Sequence, residues 1–177
     1  KSAMGDWQLQ RWPPTTDATL QAWDAADELL LDHVAELLKQ RDSAFANVLL
    51  LNDVHGALAT SLHRLSPVSW SDSSLAHRAA EENLMRNDIA SPLRKLASVQ
   101  TPDAPVDLLL IRVPKTNALL EDQLARLRPR LDENTVIIAA AMVKHLQKSA
   151  FACLERYLGK VTTSLAVKKA RLLFVEL

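Results

Sequence analysis

Between residues 20 and 38, apolar side chains recur at Leu20, Trp23, Ala26, Leu30, Val34 and Leu37, three or four positions apart. That spacing predicts a helix with one buried stripe, and Thr16 and Asp17 stand just upstream as candidate caps. Residues 48–51 are four apolar residues in a row. A strand with no alternation is covered on both faces, which is the condition of a central strand in a parallel sheet. The same two signals then take turns. Residues 57–65 predict a short helix, 67–71 a strand, and 75–85 a helix with Ala76, Ala79, Ala80 and Leu84 on one side and Asn87-Asp88 as its stop. Residues 93–99 are a weak third strand and 106–113 (VDLLLIRV) a strong fourth, separated by a loop rich in Pro and Asp at 101–105.

Further on, Leu119, Leu120, Leu124, Leu127 and Leu131 place a helix over 117–131, with Arg126, Arg128 and Arg130 on its other faces. Residues 135–141 (TVIIAAA) read as a fifth strand, and 146–158 as a helix stopped by Gly159. After that the alternation changes: 161–167 and 170–177 are two strands in direct succession, joined around Lys168 and Lys169. Five strand-helix units closed by a hairpin predict an α/β fold with a Rossmann-like, mostly parallel sheet and an antiparallel strand at its end. Residues 1–14 form an extension, of which Lys1 to Met4 read as a tag remnant, and 15–177 form a single domain.

Composition narrows the function classes. The chain has 177 residues, 48% of them apolar and 24% charged, as expected of a globular domain with a real core. Twenty-one basic residues balance twenty-one acidic ones, so any surface for RNA must be a local patch. A lone cysteine, Cys153, excludes an internal disulfide and suits a reducing cytoplasm. No apolar run reaches the length of a membrane span and the start, KSAMGDWQ, lacks a signal-peptide core, so a cytoplasmic location is expected.

Few side chains form a catalytic pattern on spacing alone. His33, His55, His63, His77 and His145 include no pair at ligand spacing, and no metal site is expected. Ser61, Ser73 and Ser149 lack a nucleophile elbow. Cys153 shares an inward face with Ala150 and Leu154 and reads as a small buried hydrophobe. Trp23 reads as core, whereas Trp7 and Trp12, on either side of Arg11, either staple the N-terminus to the domain or stack on a base, with stapling preferred. Lys115, Lys144, Lys148, Lys168, Lys169 and Arg171 form the basic sets, and Lys115 and Lys144 emerge at the carboxyl edge, where ligands of parallel sheets bind.

The stretch VLLLNDVHGALATSL, residues 48–62, has the strand, turn and helix of a nucleotide-binding loop but one glycine where such loops carry three. Together with LQAWDAADELLL, ENLMRNDI, VPKTNALLEDQL and LAVKKARL, it resembles the N-terminal half of the bacterial rRNA guanine-N2 methyltransferases. The large-subunit enzymes come first and the small-subunit enzymes second. The resemblance implies a class I S-adenosylmethionine-dependent methyltransferase fold. It also implies two such domains in tandem, the C-terminal one carrying the cofactor and an Asn-Pro-Pro-Phe turn, the N-terminal one a degenerate duplicate that helps hold RNA.

On that footing Asp53, Gly56 and Asp72 are vestigial cofactor positions, Asp72 being either a ribose ligand or, by preference, the N-cap of the helix after it. After the fourth strand the chain reads Arg112-Val113-Pro114-Lys115, where an amine methylase needs an amide acceptor; Arg112 and Lys115 only donate, and Asn117 is three residues past Pro114. The expectation is no catalytic residue and no cofactor in this domain, with S-adenosyl-L-methionine serving the parent enzyme. Lys115, Lys144, Lys168, Lys169 and Arg171 are the RNA-binding candidates. The partners expected are rRNA and the catalytic domain of the same protein. The alternatives are an active S-adenosylmethionine-dependent enzyme with an atypical loop, and a domain that only docks a protein partner.

Overall fold

The computed structural model describes residues 4–15, 17, 20–97 and 99–177. Lys1 to Ala3 and the candidate cap Thr16 lie outside them. The elements are α1 (Ala25–Gln40), β1 (Val48–Leu51), α2 (Ala57–Ser61), β2 (Val68–Trp70), α3 (Ser74–Arg86), β3 (Arg94–Leu96), β4 (Leu108–Arg112), α4 (Asn117–Leu127), β5 (Val136–Met142), α5 (Lys148–Tyr157), β6 (Lys160–Thr163) and β7 (Ala170–Glu176).

They build one sheet in the order β3-β2-β1-β4-β5-β7-β6. The β1 strand is the hinge of this order, pairing in parallel with β2 on one side and β4 on the other. The β7 strand enters antiparallel between β5 and β6. Its entry turn is Lys168-Lys169, both residues at positive φ (48° and 65°), the backbone that a two-residue hairpin turn requires.

Alternate residues of each buried strand serve opposite layers. Leu49, Leu51, Leu109, Ile111, Ile137 and Leu173 face α4 and α5 through Leu120, Leu124, Leu127 and Leu154. Leu50, Leu108, Leu110, Ile138 and Leu172 face α1 and α2 through Leu30, Val34 and Leu58. Double coverage explains why β1 and β4 are unbroken apolar runs. Cys153 is buried beside Leu154, as its helical position predicts, and burial, with Glu121 nearby, raises its thiol pKa.

Several boundaries differ from those predicted. The first helix starts at Ala25 rather than near Leu20, which is 44% exposed. Asp24 and Asp27 form a reciprocal capping box, each side chain accepting from the other's backbone N–H, and this satisfies the orphan donors at the point where the helix begins. Trp23, expected in the core, therefore precedes the helix and is half-buried, its Nε1 donating to Glu28. The predicted helices over 57–65 and 117–131 each tighten into a 3-10 turn, over His63–Leu65 and Arg128–Arg130, the second at Pro129. Gly159 follows the end of α5 because an added Cβ would lie 2.0 Å from the Glu176 carbonyl oxygen of β7, so it is close strand approach that demands glycine there.

Residues 8–10 of the predicted extension are bound to α3. Gln8 and Asn87 exchange two hydrogen bonds of 2.7 Å, and Gln10 and Asn83 exchange two of 2.8 and 2.9 Å. Trp7 meets His63 edge-on and Arg78 lies over Trp12, the stapled arrangement. Half-buried Arg126 hydrogen-bonds Gln100 and Thr101, and exposed Arg130 donates to the Pro102 carbonyl, so they organise the loop before β4. Among the described residues no helix is long and apolar enough to cross a membrane, and no three His, Cys, Asp or Glu side chains are grouped to hold a metal ion.

Candidate functional site

The turn between β1 and α2 is held from inside. Asn52, at φ 64°, donates to the Arg112 carbonyl and exchanges two hydrogen bonds with Gln123 of α4. The Asp53 carboxylate folds inward and accepts from the backbone N–H groups of Leu58 and Ala59, at 3.2 and 2.8 Å. It thereby satisfies donors at the start of α2 that a bound anion or ligand oxygen could otherwise take. Gly56 adopts φ +81°, and an added Cβ would sit 2.4 Å from the Ala80 Cα of α3. Packing of α2 on α3 thus accounts for the glycine. Asn83 joins this turn to the N-terminal strap by donating to both the His55 and Gln10 carbonyls.

At the end of β4, Arg112 is clamped by the α1 capping box. Its Nη1 and Nη2 reach the Asp24 carboxylate at 2.9 and 2.8 Å, and Nη1 also donates to Asp27. Two carboxyls sharing one guanidinium do not ionise equally. Burial pushes the Asp27 carboxyl above its usual range despite Arg112, with Asp24 adding to the rise. Burial acts on Asp24 too, but the Arg112 hydrogen bond and charge outweigh it and hold that carboxyl low. For Arg112 itself burial is outweighed by Asp27 and Asp24, so the guanidinium stays charged.

Asp53 completes the set. Burial, with the Asp27 charge, pushes its carboxyl up to about 7 against the two N–H donors and Arg112. The folded chain therefore holds this proton more tightly than the unfolded one, so the contribution of Asp53 is complete below pH 3.8 and is lost as pH rises to about 7. Denaturant midpoints at pH 5 and pH 8 should show wild type losing about 2 to 3 kcal/mol relative to Asp53→Asn over that interval. Parallel pH profiles for the two proteins would contradict the assignment.

These groups surround a cleft of about 460 Å³ outside the carboxyl ends of β1, β2 and β4. Its walls include Trp23, Val54, His55, Asp72, Pro114 and Leu119. Burial, with Arg11 and Arg112 nearby, lowers the His55 pKa and keeps the ring neutral. Asp72, read by preference as the cap of the following helix, does not cap it. Ser73 is the N-cap, its side chain accepting from the Ala76 N–H, while Asp72 stands exposed on the cleft wall. One residue decides this, because a capping oxygen reaches the N–H groups two or three positions on, and here it is Ser73 that holds the extended N-cap backbone and accepts from Ala76. A second cavity, about 290 Å³, opens among the starts of β1, β2 and β3, at the edge opposite the one where ligands of such sheets bind.

The basic candidates gather at the same edge as the cleft. Register places Arg112 of β4 beside Ala140 of β5, and Met142 of β5 beside Ala170 of β7. Lys115, Lys144, Lys168 and Lys169 leave the ends of these three neighbouring strands, all exposed, across about 10 Å of sheet. The Val143 N–H donates to the Lys169 carbonyl and ties two of these turns together. Arg171 is half-buried, with Nε enclosed, and stands apart from the exposed set. What sequence reasoning missed is the α1 side of the site. Asp24 and Asp27 carry the spacing of a capping box, but nothing local connects them to Arg112.

A sheet of this order, with its penultimate position filled by an antiparallel strand and a cleft at the β1 switch point, defines a class I methyltransferase fold. Solved structures agree on the fold. The T. Thermophilus 16S rRNA N2 methyltransferase, solved with AdoMet and guanosine, superposes with TM-score 0.67 at 22% identity over 91% of this chain and 44% of its own. The N-methyltransferase NodS from Bradyrhizobium japonicum gives TM-score 0.60 at 14% identity over 86% and 98%. The family model described as the RLMG N-terminal domain matches residues 1–177, and the chain belongs to that family. Ribosomal RNA large subunit methyltransferase G of Pseudomonas syringae pv. tomato is 51% identical over 175 residues, 98% of this chain and 46% of the relative. Its namesake in Streptomyces coelicolor is 44% identical over 173 residues, 97% and 45%. The chain spans about half the length of the curated relatives it matches.

Proposed function

We propose that this domain is the non-catalytic N-terminal half of an S-adenosylmethionine-dependent rRNA guanine-N2 methyltransferase, helping to grip rRNA while packing against a catalytic domain. The observation that carries this reading is Arg112, bound to Asp24 and Asp27 where the resemblance expects an amide acceptor for the target amine. A guanidinium has no lone pair to offer an amino group. The residues present also do not suit the methionine arm of the cofactor. Val54 and His55 bring side chains into the cleft, Asp53 is turned inward onto α2, and the Arg112 cluster occupies the wall beside β4. The row of lysines at the carboxyl edge supports the RNA role, since such charges raise affinity through phosphates without reading sequence.

Titration of the chain with S-adenosylmethionine should give no saturating heat at millimolar concentration. In filter binding to an rRNA fragment, joint replacement Lys115→Glu, Lys168→Glu and Lys169→Glu should weaken affinity about tenfold or more and flatten its salt dependence. Saturating heat at one site would revive the reading of an active enzyme, which the exposed Asp72 on the cleft wall favours as a ribose ligand. Unchanged RNA affinity in the triple variant would end the assignment to those lysines.

A further inference from the structure

We propose that the carboxyl-edge cleft receives the nucleoside of one unstacked nucleotide in single-stranded RNA, while the lysines beside it take the flanking phosphates. The inference rests on the RNA-supporting reading above and adds which part of the RNA is held, and where.

The cleft has the volume of a small-ligand site, about 460 Å³. Its charges are layered in the order a nucleotide needs. Inside, Asp24 and Asp27 are engaged by Arg112, and Asp53 by the N–H groups of α2. That leaves Asp72 as the exposed carboxylate on the wall. A carboxylate accepts hydrogen bonds from base N–H and ribose O–H groups and repels phosphate. Lys115 also lines the cleft, and Lys144, Lys168 and Lys169 continue from it along one edge, all four exposed. Arg11, also on the wall, has its Nε engaged by the Gln21 carbonyl. A nucleotide has the same profile, with a neutral, donor-bearing nucleoside joined to an anionic phosphate.

Of the three rings on the wall, Trp23, His55 and His145, the first two lie beside the Arg112 cluster and the β1 turn and offer stacking surface. Trp23 lines the cleft with its indole N–H anchored on Glu28, so the ring is held in place before a ligand arrives. His55 lines it as a neutral imidazole. Base stacking on aromatic side chains is a main source of affinity for single-stranded nucleic acid and tolerates any base. A base paired in an A-form helix cannot reach such a pocket, which sets the preference for single strands. The Arg112 cluster fills the β4 side, so the cleft takes a nucleoside without the methionine arm that would make it a methyl donor.

The test uses this chain with a single-stranded RNA oligomer, the same sequence as a duplex, and free GMP. Trp23→Ala should weaken single-strand binding about tenfold or more, Trp23→Phe should restore most of it, and neither should change the salt slope. Free GMP should bind far more weakly than the oligomer. A 4-thiouridine-labelled oligomer, irradiated with the wild-type chain, should crosslink to peptides carrying Trp23, His55 or Asp72, a result that does not depend on any variant folding. Equal oligomer affinity in wild type and Trp23→Ala, or crosslinks confined to the peptide with Lys168 and Lys169, would overturn the cleft assignment and leave the RNA reading standing. GMP binding as tightly as the oligomer would overturn RNA as the source of the nucleoside. Absence of RNA binding by the wild-type chain would overturn the RNA reading and this inference with it.

Discussion

Gly56→Ala is expected to destabilise the domain by about 3 kcal/mol, lowering the melting temperature by roughly 6 to 12 °C for a chain of this length. Two costs add. An L-residue at φ +81° is strained whatever surrounds it, and the new Cβ would sit 2.4 Å from the Ala80 Cα and 2.9 Å from its nitrogen. Because those contacts are backbone, no rotamer change relieves them. Ala80→Gly removes only the Ala80 Cβ, 2.8 Å from the new atom, and so should not rescue the variant. A melting temperature within 2 °C of wild type would show that α2 and α3 do not meet at Gly56. The experiment bears on function as well as stability. A glycine retained for a cofactor would give a variant that folds normally and loses ligand, whereas a glycine retained for helix packing gives one that unfolds early.

Arg112→Leu should be the more damaging change, costing about 3 to 5 kcal/mol at neutral pH. The cost comes from what is left behind. The Asp27 side chain is 9% exposed and would remain buried next to Asp24 and Asp53 without its cation. Losing Arg112 removes the charge that opposes protonation of Asp27, so that carboxyl rises further above its usual range. Linkage then fixes the sign: a raised carboxyl costs stability above its folded pKa and not below its unfolded one, so the deficit of the variant should shrink as pH falls toward 5. Adding Asp27→Asn should recover much of the loss, because the amide keeps an oxygen for the Asp24 N–H and carries no charge. A double-mutant cycle by urea unfolding measures this directly. An Arg112→Leu protein as stable as wild type at pH 7, with a flat pH profile, would mean that the three side chains do not form a buried cluster.

Both predictions concern residues whose part could not be read locally. The unbroken apolar runs of β1 and β4 announced central strands, and the helical stripes of α3, α4 and α5 were legible to within a few residues. Each depends on the side chains of one short segment. The start of α1 was misplaced because Leu20 and Trp23 continue the apolar period past the Asp24–Asp27 box, where the backbone hydrogen bonds begin. The cap of α3 slipped by one residue within Ser71-Asp72-Ser73, a run in which every side chain is chemically able to cap. The hydrogen bonds of Arg126 and Arg130 were not legible locally, because the loop they bind lies 25 to 28 residues earlier.

The sequence by itself determined the α/β class, the alternation of layers, the closing hairpin at Lys168-Lys169 and the family resemblance. All of these rest on short-range periodicity, turn chemistry and quoted motifs. Only the tertiary structure decided that Asp24 and Asp27 meet Arg112 across 88 and 85 residues, that Asp53 turns inward, and that Gly56 lies against Ala80. The physical reason is that these contacts form only when α1, α2, α3 and β4 pack at one edge of the sheet. Their strength comes from burial in that packed interior, a property that no segment has while it is alone in water.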